Sequence, residues 1–221
     1  MHPNNNLILT LVPIKYPNGK SRLQGYISPE ILQKIIFELF QNTISVIQKQ
    51  TNFGVISSSE FLLKISLANN AIFSFQDKGL DLNIALNDSL KDLDAQNYRF
   101  EKILILVSDL PFLNIENFNN LMKYVKNFNS GIIPAKKKNN DFLGTSGIFF
   151  SSDFLSKIQM CFGEDSFNRF NLEFSRLNLE PKIFDCGNIG YDLDNLLDLQ
   201  FIKKEIKRIS SSKIKFLMQH A

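Results

Sequence analysis

The sequence predicts an α/β fold, with one domain built on a mostly parallel central sheet that carries helices on both faces. Apolar runs such as Lys102–Val107 (KILILV) are continuous rather than alternating, which is typical of strands buried on both faces. Segments with apolar residues at helical spacing alternate with these runs, as in βαβ units. A length of 221 residues suits a single large domain, and neither a repeat nor a composition shift divides the chain.

The strands and helices are expected in a regular order along the chain. The predicted strands are Leu7–Ile14, Phe53–Ser57, Ala71–Phe75, Lys102–Val107, Gly131–Pro134, Gly147–Ser151 and Ile183–Cys186. The predicted helices are Pro29–Lys49, Phe61–Ala68, Leu80–Leu93, Ile115–Phe128, Asp153–Cys161, Ser166–Leu177 and Asp192–Ile209. The first helix begins at Pro29 because Ser28 is a favourable N-cap and proline is tolerated at the first helical position.

Composition and charge exclude several classes of protein. The formal net charge is +3, from 25 basic and 22 acidic side chains, which is too small for a nucleic-acid-binding domain with a concentrated basic face. No apolar run approaches the length of a membrane span, and no basic segment precedes the first apolar run as in a secretory signal. Cys161 and Cys186 are therefore expected to be buried, free thiols of a cytoplasmic protein.

The histidines limit the chemistry further. Only His2 and His220 are present, one at each end of the chain. A Ser-His-Asp site, a Cys-His site or a histidine-ligated zinc site would each need a histidine in the interior. Catalysis must therefore rest on carboxylates, lysines, arginines, hydroxyls and backbone groups, and carboxylate ligands suit Mg²⁺ better than zinc.

The loop Lys15–Arg22 is the first candidate for a ligand site, because ligands of such sheets bind beyond the carboxyl ends of the strands. Lys15, Lys20 and Arg22 bring three cations there, together with a hydroxyl and the free backbone N–H groups of a turn. Phosphate binding needs these groups. The spacing of a Walker A loop is absent, and an ordinary solvated basic loop is the alternative interpretation.

Three aspartates are the candidates for a metal site. Asp109 follows the buried strand Lys102–Val107, where a carboxylate costs desolvation unless a metal, a lysine or backbone N–H groups compensate it. Asp192 and Asp194 are alternate residues, so on an extended segment both face the same side. Two such charges at roughly 4 Å repel by about 4 kcal/mol at an effective dielectric near 20, and a divalent cation removes this repulsion. The alternatives are a turn aspartate at position 109 and helix capping by the other two.

Two further segments offer backbone N–H groups and a hydroxyl, and a third is strongly basic. Gly144-Thr145 and Gly163–Ser166 suit a carboxylate or a phosphate, although plain turns are equally typical of such sequences. The segment Lys203–Lys215 carries six cations beside an apolar face. We expect that face to pack on the core and the cations to be solvated, with contact to a membrane surface as the alternative.

Together these segments resemble the motifs of the 2-phospho-L-lactate guanylyltransferase family, in the same order over residues 8–200. The matching segments are Val12-Pro13-Ile14-Lys15, Lys20-Ser21-Arg22-Leu23, Asp81-Leu82-Asn83-Ile84-Ala85-Leu86, Ser108-Asp109-Leu110-Pro111, Gly144-Thr145, Phe162-Gly163 with Ser166-Phe167, and Asp192-Leu193-Asp194 with Asp198-Leu199. Each motif is short, whereas the ordered set is specific.

The resemblance implies a Rossmann-like nucleotidyltransferase domain over residues 1–209, followed by a tail at 210–221. It also implies a reaction, in which GMP moves from GTP to 2-phospho-L-lactate or phosphoenolpyruvate and pyrophosphate is released, on the route to coenzyme F-420. The acceptor is already a phosphate oxyanion, so the transfer needs positioning and charge neutralisation rather than a general base. A site without histidine is sufficient for this chemistry.

The resemblance implies roles for individual residues by their positions in the motifs. Those expected to hold Mg²⁺ are Asp109, Asp192 and Asp194. Those expected at the triphosphate are Lys15, Lys20 and Arg22, with Pro13 and Asn83 beside the nucleoside. Those expected to hold the acceptor are Thr145, Gly163 and Ser166.

The sequence departs from the family pattern mainly around the acceptor. Ser108, Ser146 and Phe170 replace the family's alanine, asparagine and histidine, and Asn195-Leu196 replaces Thr-Pro. A related nucleotidyltransferase with another base or acceptor, of the molybdopterin-cofactor or sugar-phosphate type, is one alternative. A non-catalytic nucleotide-binding homologue is another. The sequence leaves the oligomeric state open, a homodimer included.

Overall fold

A computed structural model describes residues 7–79, 81–96, 98–136, 144–185 and 189–206. These ranges contain seven strands and six α-helices. The strands are β1 (Ile8–Pro13), β2 (Asn52–Ser57), β3 (Phe73–Gln76), β4 (Lys102–Leu106), β5 (Ser130–Ala135), β6 (Gly144–Ser151) and β7 (Lys182–Ile183). The helices are α1 (Pro29–Ile47), α2 (Glu60–Ala68), α3 (Leu82–Ala95), α4 (Ile115–Asn127), α5 (Ser166–Arg176) and α6 (Leu196–Ile206).

All strands belong to one sheet, in the order β3-β2-β1-β4-β6-β5-β7. The pairs β1–β2, β2–β3, β1–β4 and β5–β7 are parallel, whereas β6 runs antiparallel to both β4 and β5. The predicted mostly parallel sheet is therefore confirmed, with β6 as its one reversed strand. The cause is the short connection between β5 and β6, since a parallel crossover needs a dozen residues or more.

Helices cover both faces of the sheet, as the sequence predicts. On one face α1, α2, α4 and α6 pack on strand residues such as Val12 and Leu104. On the other face α3 and α5 pack on strand residues such as Leu11 and Ile105. Neighbouring strand residues thus contribute to different cores, which explains why the strands read as continuous apolar runs.

Three predicted elements differ most from the structure, whereas others shift by up to three residues at their ends. The helix predicted at Asp153–Cys161 is wrong, because only Ser152–Phe154 forms a short 3-10 helix and the partly buried chain that follows is irregular. The last helix begins at Leu196 rather than at Asp192. The strand predicted at Ile183–Cys186 is shortened to β7, and Cys186 lies outside the described residues.

The remaining expectations concern the cysteines and the basic segment. Cys161 is buried, and desolvation raises the pKa of its thiol to about 12. Ile202 of α6 packs in the core and Lys204 is exposed, as expected for the start of the basic segment, whose remainder from residue 207 lies outside the described ranges. No helix within those ranges combines the length and the apolarity needed to cross a membrane.

Gly131 of β5 lies where three strands meet, and this position predicts a large effect of a single methyl group. An added Cβ would overlap the ring of Phe149 and would lie 2.6 Å from the carbonyl oxygen of Lys182. We expect Gly131→Ala to lower the free energy of unfolding by about 2 kcal/mol, because overpacking forces strands apart. Urea denaturation measures this change. Gly144→Ala is the control, since its nearest described neighbour is the Ala135 methyl at 3.0 Å. Equal losses in both variants would contradict the overpacking argument.

Candidate active site

Two segments that carry aspartates meet at the carboxyl edge of the parallel strands. Asp109 follows β4, and its carbonyl oxygen accepts a hydrogen bond of 3.2 Å from the N–H of Leu193. The hydroxyl of Thr43 on α1 donates to the carbonyl oxygen of Ser108, also at 3.2 Å. These two bonds fix the backbone of the turn after β4 against α1 and against the segment before α6.

The three aspartate side chains converge as the sequence predicts. Asp109, Asp192 and Asp194 each place one carboxylate oxygen within 4.8 Å of the others. All three residues are half-buried, so water screens their mutual repulsion only in part. Within the described part of the chain, the buried Oδ1 atom of Asp109 accepts no hydrogen bond. A cluster of hard oxygen ligands with a buried unused oxygen fits a divalent cation such as Mg²⁺.

Lys20 is inserted among these carboxylates. Its ammonium group forms ion pairs with Asp109 and, at 2.7 Å, with Asp194, and its side chain is only 15% exposed. Burial alone would lower the pKa of Lys20, but the charges and hydrogen bonds of Asp109 and Asp194 outweigh it and raise the pKa. Lys20 therefore stays protonated and supplies a positive charge that the cluster requires.

Lys20 lies in the loop from β1 to α1, and an uncommon backbone conformation of this loop places its side chain among the carboxylates. Lys20 has a left-handed conformation, with φ of 58°, and precedes a short 3-10 helix at Ser21–Leu23. At Gly19 an added Cβ would lie 2.6 Å from the carbonyl oxygen of Lys15, so the loop folds closely on itself. Lys15 and Arg22 are exposed and point their charges to solvent.

Asp198 positions Asp194, a contribution that the sequence interpretation missed. One carboxylate oxygen of Asp198 accepts hydrogen bonds of 3.0 Å from the N–H groups of both Asp194 and Asn195. The side chain of Asn195 in turn accepts bonds from Leu197 and Asp198. This reciprocal pairing is a capping box, and the spacing Asn-x-x-Asp could have revealed it. Asn195 is therefore the residue that caps α6. The alternative interpretation, in which Asp192 or Asp194 caps this helix, does not describe these bonds.

A cleft opens beside Lys15, between the ends of β1 and β2 and the start of α3. The residues that line it are Pro13, Ile14, Lys15, Ile56, Ser58, Asp77, Gly79, Asp81, Leu82 and Ala85. Pro13, which the resemblance implies to lie beside the nucleoside, lines this cleft together with Asp77 and Gly79 of the turn after β3. Asn83 does not line this cleft, because its side chain binds the backbone of Phe162 instead.

The residues expected at the acceptor lie on two other elements. Thr145 is near the start of β6. The N–H of Val107 donates to the Ser146 carbonyl, and this bond joins the start of β6 to the end of β4. The Thr145 hydroxyl is buried and has no hydrogen-bond partner among the described residues. Gly163 has a positive φ of 116°, and its carbonyl accepts the N–H of Ser166, the buried first residue of α5. The reversed β6 thus brings its amino end to the edge where the parallel strands end.

Comparison with known proteins agrees with this geometry. The family model described as guanylyl transferase CofC-like matches residues 8–207, nearly the whole chain. The chain belongs to this family. Among the relatives of this chain, a phosphoenolpyruvate guanylyltransferase of Chloroflexus aggregans is 24% identical to it over 191 residues, which cover 83% of this chain and 91% of the relative. A 2-phospho-L-lactate guanylyltransferase of Methanobrevibacter smithii is 23% identical over 194 residues, which cover 87% and 82%.

Solved structures show the same fold. A protein assigned as a nucleotide-diphospho-sugar transferase, from Desulfovibrio desulfuricans G20, superposes with a TM-score of 0.74 at 18% identity, covering 96% of this chain and 94% of that one. A 4-diphosphocytidyl-2C-methyl-D-erythritol synthase from Anaerococcus prevotii superposes with a TM-score of 0.60 at 13% identity, covering 92% and 97%. Family and fold together establish that this guanylyl transferase CofC-like chain is a nucleotidyltransferase.

The capping box at α6 predicts that Asp198 stabilises the protein. We expect Asp198→Ala to lower the free energy of unfolding by about 1–2 kcal/mol, because two backbone N–H groups lose their acceptor. Chemical denaturation measures the loss. The matched control is Asp88→Ala, which breaks an exposed 3.2 Å pair with Lys91 and should cost less than about 0.5 kcal/mol. An Asp198 variant no less stable than the control would show that the capping box contributes nothing.

Proposed function

We propose that this chain is a Mg²⁺-dependent guanylyltransferase that moves GMP from GTP to a small phosphorylated acid, 2-phospho-L-lactate or phosphoenolpyruvate, and releases pyrophosphate. The observation that carries the proposal is the convergence of Asp109, Asp192 and Asp194 around Lys20 at the sheet edge. The family supports guanylyl transfer, and the named relatives support the two acceptors. In this proposal the product serves the synthesis of coenzyme F-420.

The proposed reaction balances without an acid or a base. An oxygen of the acceptor phosphate attacks the α-phosphorus of GTP, the bond from that phosphorus to the bridging oxygen breaks, and pyrophosphate leaves with the electron pair. Since the attacking group is already an oxyanion, no proton has to move. What the chain must do is hold both phosphates in line and neutralise their charge, for which its cationic loop is suited.

The proposed roles follow from where each side chain lies. Asp109, Asp192 and Asp194 would hold Mg²⁺, which supplies charge neutralisation and polarises phosphoryl oxygens when bound. The exposed Lys15 lines the cleft beside Pro13, where the nucleoside would lie, and the exposed Arg22 follows later in the same loop, so both side chains are available to the triphosphate. Lys20, held between carboxylates, keeps positive charge at the centre.

The proposed acceptor subsite is formed by Thr145, Gly163 and Ser166. The buried Thr145 hydroxyl has its hydrogen-bonding capacity unused among the described residues, and burial of an unused hydroxyl is costly unless a ligand completes it. The turn at Gly163–Ser166 stands at the amino end of α5, where the backbone N–H groups and the helix dipole favour an anion. These features support a carboxylate or phosphate ligand.

Two of the departures from the family pattern, Ser146 and Phe170, have structural roles next to the proposed site. The Ser146 hydroxyl donates to the Gly190 carbonyl at 3.2 Å, so it joins β6 to the segment that carries Asp192. Phe170 is fully buried and packs edge-to-face on Phe162, with ring centroids 4.9 Å apart. Ser146 and Phe170 therefore stabilise the segments that carry Asp192 and Phe162.

The turnover experiment tests the function directly. We expect the purified protein to release pyrophosphate from GTP only when Mg²⁺ and one of the two acceptors are present. Asp109→Asn should lower kcat at least about 100-fold, because one metal-binding charge is lost. Asp88→Asn, on the exposed face of α3, is the matched control and should leave turnover unchanged.

The proposal fails if neither acceptor supports release, and unchanged turnover in Asp109→Asn would refute the metal assignment. Turnover of CTP or ATP instead of GTP would favour the related nucleotidyltransferases.

A second prediction tests the metal site without turnover. Lys20→Met leaves Asp109 and Asp194 without their shared cation, so we expect the metal-free variant to lose about 2 kcal/mol of stability. Millimolar Mg²⁺ should then raise the Tm of the variant more than that of the wild type, because the ion replaces the missing charge. Lys64→Met, which breaks an exposed pair with Glu60, is the control and should show neither effect. Equal Mg²⁺ shifts in the wild type and Lys20→Met would argue against a cation site at these carboxylates.

A further inference from the structure

Four of the five residues from Ile158 to Phe162 are buried and Gln159 is exposed, yet the segment belongs to no helix or strand, so its backbone N–H groups need other partners. Side chains from two helices provide them. The N–H of Gln159 donates to Glu173 of α5 at 2.6 Å, and the N–H of Met160 donates to Asn87 of α3 at 3.0 Å. The N–H of Phe162 donates to Asn83 of α3 at 2.7 Å. These side chains replace the neighbouring strand that a regular sheet would supply.

The contact between Asn83 and Phe162 differs from the others because it is reciprocal. The Oδ1 atom of Asn83 accepts the Phe162 N–H, and its Nδ2 atom donates to the Phe162 carbonyl oxygen at 3.0 Å. The side-chain amide therefore pairs with the backbone as a strand residue would. Asn83 itself is fixed, since its own N–H donates to the cap residue Asp81 at 2.8 Å.

The bond to the Phe162 carbonyl sets the orientation of the next residue. The Phe162 C=O and the Gly163 N–H belong to one planar peptide group and point in opposite directions. Holding the carbonyl on Asn83 therefore aims the Gly163 N–H away from α3. Gly163 then turns with a φ of 116°, a conformation that favours glycine, and its carbonyl accepts the Ser166 N–H at 3.2 Å. The geometry of the whole turn thus depends on the Phe162–Gly163 peptide.

We propose that Asn83 is a positioning residue for the phosphorylated acceptor, which it serves by orienting the Phe162–Gly163 peptide at the acceptor subsite. This inference rests on the proposed function, because that function places the acceptor at Gly163 and Ser166. It reassigns Asn83, which the family resemblance implies to lie beside the nucleoside. Both polar atoms of its side-chain amide bind Phe162, and Asn83 does not line the cleft proposed for the nucleoside, which its neighbours Asp81, Leu82 and Ala85 do line.

A split between the two substrates tests the assignment. In Asn83→Ala we expect the KM for phosphoenolpyruvate or 2-phospho-L-lactate to rise about tenfold or more, since the peptide loses two hydrogen bonds. The KM for GTP, and the Tm shift that GTP and Mg²⁺ cause without acceptor, should stay within about twofold of the wild type because the cleft is untouched. Asn83→Asp keeps an oxygen for the Phe162 N–H but loses the donor to its carbonyl. It should therefore resemble Asn83→Ala in its acceptor KM.

Asn87→Ala is the matched control, because it removes a neighbouring bond from the same helix while the Phe162–Gly163 peptide stays held. It should change the acceptor KM much less than Asn83→Ala at a similar loss of stability. Equal changes in the two variants would reduce Asn83 to a structural residue and overturn the proposal. A raised KM for GTP with an unchanged KM for the acceptor would also overturn it, in favour of a nucleoside contact.

Calorimetric binding of phosphoenolpyruvate separates this proposal from the proposed function. A wild-type protein that binds the acid but releases no pyrophosphate would refute guanylyl transfer alone. Binding that is then weakened in Asn83→Ala and kept in Asn87→Ala would still support the positioning role. A wild type that turns over normally, with unchanged acceptor affinity in Asn83→Ala, would refute the positioning role alone. A wild type that binds neither phosphorylated acid would refute both.

Discussion

The repulsion among three carboxylates is the constraint on which the site depends. Oxygens of Asp109, Asp192 and Asp194 within 4.8 Å of one another repel by at least about 3.5 kcal/mol per pair at an effective dielectric near 20. Lys20 offsets this repulsion as a buried cation that contacts Asp109 and Asp194 together. The left-handed turn at Lys20 places the positive charge of this loop residue next to the carboxylates. Asp109 and Asp194, its two partners, are almost ninety and more than one hundred and seventy residues away in the sequence.

Hydrogen bonds to backbone groups help to fix the carboxylates relative to one another. Leu193 donates to the Asp109 carbonyl and Thr43 donates to the Ser108 carbonyl, so strand β4, helix α1 and the segment before α6 share one set of bonds. Asp198 then holds the N–H of Asp194. Each such bond contributes only about 1 kcal/mol, but each removes freedom from a charged group whose position decides what it can bind. The cluster is thus assembled before any ligand arrives.

The family resemblance implied that Asp109 meets Asp192 and Asp194. Sequence patterns predicted the layers, most element positions and the place of Asp109 after a strand, because continuous apolar runs and strand ends are local signals. They did not predict the reversal of β6, which depends on the length of its connection to β5. The helix expected at Asp153–Cys161 was wrong because a buried irregular segment has apolar residues at similar spacing. Its true partners, Asn83 and Asn87, are more than seventy residues away and give no local signal.

Helix α3 explains how one rigid element can serve both proposed substrates. Its capped first turn lines the cleft proposed for the nucleoside with Asp81 and Ala85, while Asn83 holds the Phe162–Gly163 peptide of the proposed acceptor subsite. In-line transfer loses rate steeply when the attacking and leaving groups are displaced by about 1 Å. Two subsites attached to the same helix move together, so thermal motion of α3 changes their separation less than independent loops would. In-line transfer needs a constant separation between the two subsites, and Asn83 contributes to it by joining the proposed acceptor subsite to the helix that lines the cleft.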